Sequence, residues 1–344
     1  HYRDRRQRQM CIRDSPDGKN HGLIFVLDWS GSMQNVMLDT CKQLYNLLWF
    51  CKKVNIPFEV YGFTNEWKGR SFDEYGRITG SDQTPCYEEG EHMLHVDSDF
   101  SLMNFFTSKV SGKELEQQMK NIWRIAYAFS NRYSGQYSWP MRLSLSGTPL
   151  NESLVCLHQI LPKFQRENKL QKVQCVVLTD GEACPLQYNK EMETQYHDGP
   201  FFAKRRIDPD RTILRDRKLG ITYKIEYRYN DFVDTMITNL KDNFPTVNFI
   251  GIRVLSPRDA RSFMRLYKDT EKCQVEWMKT KSFCIKSSGY DAYFGISANA
   301  LAQDSGFDVK DDATKAQIKS AFVKSLRVKK LNKKVLGEFI SLVV

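Results

Sequence analysis

GLIFVLDWSGSM, residues 22 to 33, is the stretch that decides the fold. Its first half, Gly22 to Leu27, is short and continuously apolar, the pattern of a strand buried on both faces. Its second half sets Asp28, Ser30 and Ser32 at alternate positions, just where that strand ends. From Met33 the apolar residues Met33, Val36, Met37, Cys41, Leu44, Leu47, Leu48 and Cys51 follow the spacing of an amphipathic helix. Pro57 to Phe63 reads as a second strand, so strand, helix and strand make a βαβ unit. The fold class expected is α/β, with a doubly wound, mostly parallel central sheet and helices on both faces.

Further along, residues 64 to 112 are polar and irregular, and Glu114 to Tyr133 has a helical pattern. SLSGTPL, Ser144 to Leu150, reads as a loop. Asn151 to Asn168 reads as a helix with Leu154, Leu157, His158 and Leu161 on one face. Val173 to Leu178 is another buried strand, running into TDGE, Thr179 to Glu182. A basic hairpin turning at Lys218-Leu219-Gly220 is expected in 185–230. Helix signals return at Asp231 to Asn243 and from Pro257 to Tyr267. Val247 to Leu255 reads as a core strand, Tyr290 to Ser297 as an edge strand, and about 313–328 and 331–343 as basic amphipathic helices. The expected organisation is a non-native or disordered tail at 1–19, one domain at 20–300 with insertions at about 64–140 and 185–230, and C-terminal basic helices at 301–344, packed on or extending the domain.

Composition narrows the functional classes. The chain has 344 residues, 41% of them apolar, enough for a substantial core. No apolar run reaches the roughly 18 residues of a membrane span, and the basic N-terminus has no apolar segment after it. HYRDRRQRQMCIRDSPDGKN lacks an initial Met and any period, and the true N-terminal region is expected to be missing. Nine cysteines without a CxxC pair suit a reducing, cytoplasmic setting, with Cys41, Cys51, Cys156 and Cys175 as small core residues. The net charge of +10 favours acidic partners or nucleic acid. Residues 315–334 carry eight Lys/Arg and no acid, and 201–220 carry seven basic residues against three acidic; solvated faces of helices or hairpins account for both.

Three segments should share the carboxyl edge of the sheet, where open α/β sheets hold their ligands. Asp28, Ser30 and Ser32 close the first strand. Thr148 lies in the loop before a helix, and Asp180 at the end of the strand Val173 to Leu178. Two carboxylates and three hydroxyls, with no His or Cys, are ligands for a hard cation, Mg²⁺ or Mn²⁺. A position left open in the shell would take a carboxylate from outside. Each short motif on its own is equally a helix cap or turn.

The order Asp28-x-Ser30-x-Ser32, then Thr148 in SGTPL, then Asp180 in LTDGE resembles the metal-ion-dependent adhesion site of von Willebrand factor A (VWA) domains. The resemblance covers about residues 20 to 300. DWSGSM and GTPLNESL are most similar to the cobaltochelatase-type VWA subunit and related phage-encoded proteins. This implies a Mg²⁺-dependent protein–protein interaction module, the adaptor or substrate-facing partner of a MoxR-type AAA+ ATPase or chelatase complex, bound through an acidic residue of the partner. The chain has no G-x-x-x-x-G-K-[ST] loop, so ATP hydrolysis would come in trans and no catalysis by this chain alone is expected. The alternative is an RNA-associated protein similar to Ro-type ribonucleoproteins, using the basic hairpin and C-terminal helices.

Two rival sites are weaker. His92 and His95 in EEGEHMLHVD could ligate Zn²⁺, but no further ligand motif joins them, and an exposed acidic loop is the better reading. His158 sits on the apolar face of its helix and no G-x-S-x-G elbow occurs, which argues against a hydrolase.

Overall fold

The computed structural model describes residues 20–66, 70–75, 77–81, 87–130, 139–181, 183–193, 199–225, 231–267, 270–298 and 317. The expected tail at 1–19 and, Gln317 apart, the C-terminal basic helices lie outside these residues.

The first strand, β1 (His21–Asp28), is buried from Gly22 to Asp28. It pairs in parallel with β2 (Phe58–Asn65) on one side and, in the register Leu27 to Leu178, with a strand from the middle of the chain on the other. Around it stand β6 (Phe100–Thr107), β7 (Lys172–Thr179), β12 (Val247–Leu255), β13 (Ser282–Ile285) and β14 (Ala292–Ser297), in a seven-stranded sheet of order β13-β14-β12-β7-β1-β2-β6. The remaining strands form three small antiparallel sheets. β3 (Arg70–Phe72) pairs with β4 (Ile78–Ser81). β5 (Leu94–His95) pairs with β8 (Gln187–Met192), and β8 with β9 (Phe201–Arg206). β10 (Ile213–Asp216) and β11 (Ile221–Lys224) form a hairpin turning through Gly220 at φ +71°.

The helices are α1 (Met37–Lys53), α2 (Gly112–Phe129), α3 (Leu150–Asn168), α4 (Asp231–Asn243), α5 (Pro257–Arg265) and α6 (Thr270–Thr280). Alternation along β1 sends Leu23, Phe25 and Leu27 to one side, where Met37, Cys41 and Leu48 of α1 and Leu115 and Met119 of α2 cover them. Ile24 and Val26 join a second cluster with Leu154, Leu157 and Leu161 of α3 and Ile237 and Leu240 of α4. Cys41, Cys51 and Cys175 are buried within these layers, and Cys156 is half-buried. Local chemistry sets several helix starts: Ser111 accepts from Glu114 N at 3.2 Å, and Ser256 caps α5 just before Pro257.

The expected doubly wound, mostly parallel sheet needs correction. The sheet is mixed: β6 runs antiparallel to β2 and β13 antiparallel to β14, so both edges reverse direction, and small antiparallel sheets are added beside it. The cause is local. The polar stretch after β2 returns the chain to the same edge without a crossover, and β13 folds straight back onto β14. β6 escapes a reading by alternation because Phe105 and Phe106 are consecutive, and the β2–β6 ladder shifts register between Val60 and Tyr61. The expected edge strand at Tyr290 to Ser297 is β14, which lies one strand in from the edge.

One glycine ties this sheet to the loop beyond β1. A Cβ on Gly62 would lie 2.3 Å from the Phe105 ring, which packs edge-on against Trp29 with ring centroids 4.9 Å apart. Gly62→Ala is therefore expected to cost about 1–3 kcal/mol through overpacking. Gly112→Ala, with nothing within 4 Å, should be near neutral. Urea unfolding of the two variants checks this; equal midpoints would refute it.

Candidate functional site

Three loops converge beyond the carboxyl ends of β1 and β7. After Asp28 the chain passes through Trp29 and Ser30 into a short 3₁₀ turn, Gly31–Asn35. Trp29 is fully buried, and its Nε1 donates to Leu143 O at 2.8 Å, which fixes the first loop against the second. Ser30 and Ser146 form a parallel bridge, with Gly31 N donating to Ser146 O at 2.9 Å. Thr148 O accepts from Leu150 N at 2.8 Å and from Cys184 N at 2.9 Å, joining the second loop to the segment that follows Asp180. Asn151 donates to Cys184 O at 3.1 Å and reinforces that link.

The hydroxyls and carboxylates named from the sequence meet here. Ser30 Oγ lies 3.0 Å from Ser32 Oγ, and Ser32 Oγ donates to Asp180 Oδ1 at 2.7 Å. A Cβ placed on Gly181 would lie 3.6 Å from Ser32 Oγ and 3.8 Å from Thr148 Oγ1, so the missing side chain leaves the space beside both hydroxyls open. Asp28 is wholly buried. Its Oδ2 accepts from Thr179 Oγ1 at 2.6 Å, and its Oδ1 has no hydrogen-bond partner.

Burial pushes the Asp28 carboxyl up to about 7; Thr179 and Ser30 oppose the rise, and the Asp180 charge adds to it. Asp180 is also raised by burial. Ser32 and the nearby Arg253 oppose that shift, while Asp259 adds to it. Two carboxylates in a poorly solvated edge, one with an orphaned oxygen, together with three hydroxyls, form an all-oxygen donor set that fits a hard divalent cation.

Sequence reasoning missed Thr179, Ser146 and Arg253. Thr179 was visible as the residue before Asp180, but its role depends on strand register: one step beyond the pair Leu27 and Leu178 brings it level with Asp28. Arg253 stands opposite Thr179 on β12, and its guanidinium lies 4.7 Å from the centre of the Phe263 ring.

The rival sites dissolve in the structure. His95 is buried, with Nδ1 2.9 Å from Asn189 Oδ1, whereas His92 is exposed beside Glu91. Among the described residues no group of three or more His, Cys, Asp or Glu is placed to hold a metal. His158 packs against Phe244 with its pKa lowered by burial, as suits a neutral core histidine.

No family model and no curated protein matches this chain. Similar solved structures include the pilus adhesin SpaC from Lactobacillus rhamnosus GG in its open conformation, at 16% identity and a TM-score of 0.39, covering 90% of this chain and 30% of that one. The adhesive tip pilin GBS104 from Group B Streptococcus agalactiae is 11% identical with a TM-score of 0.32, over 72% of this chain and 57% of that one. Three N-terminal domains of the type V pili tip protein Mfa5 from Porphyromonas gingivalis are 12% identical with a TM-score of 0.27, over 70% and 28%. The chain thus spans about a third of the SpaC structure.

These findings correct the family reading. The neighbours are pilus proteins, so the VWA and cobaltochelatase-type assignment, its adhesion-site label and the phage-encoded origin are withdrawn. With them go the role as adaptor of a MoxR-type AAA+ ATPase, the ATPase as partner, and the RNA-associated alternative. The motifs that carried the resemblance are short loops of common residues, and the geometry they specify can be built without the family. Among the described residues no helix is long and apolar enough to cross a membrane.

The helix that follows the second loop carries a further buried acid. Glu152, in the first turn of α3, is 6% exposed, its Oε2 is unpartnered, and burial, aided by the charge of Asp97, pushes its pKa up to about 7. The folded protein therefore holds this proton more tightly than the unfolded chain, so stability present below about pH 4.5 falls as pH rises through about 7. The shift corresponds to about 3 kcal/mol. Glu152→Gln should flatten that part of the stability–pH curve, read from urea midpoints across this window; an unchanged slope would refute the assignment.

Proposed function

We propose that the edge formed by Asp28, Ser30, Ser32, Thr148 and Asp180 binds one divalent cation, Mg²⁺ or Mn²⁺, and through it captures an oxygen ligand from outside the chain. The observation that carries this reading is the buried, unpartnered Oδ1 of Asp28 beside the hydroxyl row of Ser30 and Ser32. The bound cation would supply a local positive charge and an acceptor position for a carboxylate.

This chain's residues divide the work. Ser30, Ser32 and Thr148 contribute neutral oxygens. Asp28 and Asp180 supply two negative charges, enough to balance a divalent ion without closing the site to an anionic ligand. Thr179 orients Asp28, and Gly181 keeps the approach open. The reading is capture of a ligand and not turnover. The reducing, cytoplasmic setting, read from cysteine usage in the sequence, belongs to this reading.

Mn²⁺ titration followed by electron paramagnetic resonance or calorimetry tests it. One ion per chain is expected, with a thermal upshift on binding. Asp28→Asn and Ser32→Ala should each weaken affinity by about tenfold or more, and Glu88→Gln should leave it unchanged. Absence of binding up to about 10 mM, well past the weakest protein Ca²⁺ sites, or equal affinity in all three variants, would sink the reading.

A further inference from the structure

A half-open cleft of about 750 Å³ lies away from the sheet edge, between β5, the β10–β11 hairpin and the helices α3 and α4. Its size falls within the roughly 300–1,000 Å³ of small-molecule sites. The floor is apolar: Val96, Val155, Ile225 and Phe232 line it. Tyr87 forms one wall, its ring fixed by a 2.7 Å contact between its hydroxyl and Cys156 Sγ.

The mouth is basic. Arg211, Arg215 and Arg217 line it, against the single carboxylate of Glu88. Two further acids stand close: Asp208 Oδ2 lies 3.8 Å from Arg211 Nε, both side chains exposed, and Asp216 is already committed. Its Oδ2 accepts from Asn239 and Asn243 of α4, both at 2.8 Å, and its Oδ1 accepts from the backbone of Lys218 and Leu219, both at 2.9 Å. Burial works against its charge, but these donors outweigh it and lower its pKa to about 2. Tyr223 adds a 2.7 Å bond to Asp242, so the hairpin is pinned to α4 and presents its arginines from a fixed base. Beside them Ile213 and Met93 stay 61% and 40% exposed, apolar surface that an occupant would cover.

We infer that this cleft binds a small anionic amphiphile: an apolar chain or ring lies over Val155 and Phe232, and a carboxylate, phosphate or sulfate head meets the arginines. Guanidinium groups suit such heads because their donors match two oxygens at once. The site is independent of the cation edge.

Calorimetric titration with decanoate and with decanol, below their aggregation limits, separates head from tail. Decanoate should bind at one site about tenfold tighter than decanol. The double variant Arg215→Ala/Arg217→Ala, at exposed positions, should erase that preference. Val155→Trp, confirmed as folded by circular dichroism, should block both probes, and neither variant should alter Mn²⁺ binding. Equal binding of the two probes, retained preference in the arginine variant, or undiminished binding with a filled cleft would each overturn the inference.

Discussion

Asp28 is poorly partnered for a buried carboxylate. Thr179 donates to its Oδ2 at 2.6 Å, its other oxygen meets no donor, and water does not reach it. A carboxylate withdrawn from water costs several kcal/mol unless charge or hydrogen bonds replace the lost hydration. Here a second carboxylate, Asp180, stands close enough to make matters worse. Nothing in the core gains from this arrangement, since an apolar residue would close β1 at lower cost. The organisation around it follows from that expense: serines spaced at i+2 and i+4, a loop tied down by Trp29, and a glycine that leaves the space beside the hydroxyls open.

Such a carboxylate can be kept only on rigid supports. β1 is flanked by parallel neighbours on both sides, and each side chain from Leu23 to Leu27 is committed to one of two apolar clusters. A slip of one residue in its pairing would exchange those faces, so register is strongly fixed. The same register sets Thr179 beside Asp28. The backbone bridges Ser30 to Ser146 and Thr148 to Cys184 then lock the neighbouring loops to this frame.

How much of this is legible in the sequence depends on range. β1, α1, β2, α3, β7 and β12 are readable because each is a continuous apolar run or a clean helical stripe, both local signals. The candidate residues are readable because they sit at strand ends and before a helix. Thr179 is not, because its partner is fixed by the depth at which two distant strands pair. β6 is not, because its two adjacent phenylalanines fall across an irregular ladder. The β10–β11 hairpin is readable from its turn at Lys218-Leu219-Gly220, whereas β3–β4 and the β5–β8–β9 sheet have no such marker, and β5 has only two residues. The family label failed for a related reason: three short loops define a local oxygen geometry, and a local geometry does not name a lineage or a partner.

Electrostatics give the two candidate surfaces opposite logic. The chain carries +10 overall, a field that draws anions toward it from a distance. At the cleft the local charge agrees with the global one, since three guanidinium groups line the mouth against one carboxylate. An anion steered there is held directly. At the sheet edge the local charge is negative and opposes the global field, so an approaching carboxylate is attracted at long range and repelled at contact. A divalent ion reverses only the contact term, because two carboxylates balance its charge and leave its open face electrophilic. Anion capture at that edge is therefore conditional on the ion, whereas capture at the cleft is not. This difference follows from two aspartates at the edge and three arginines at the cleft.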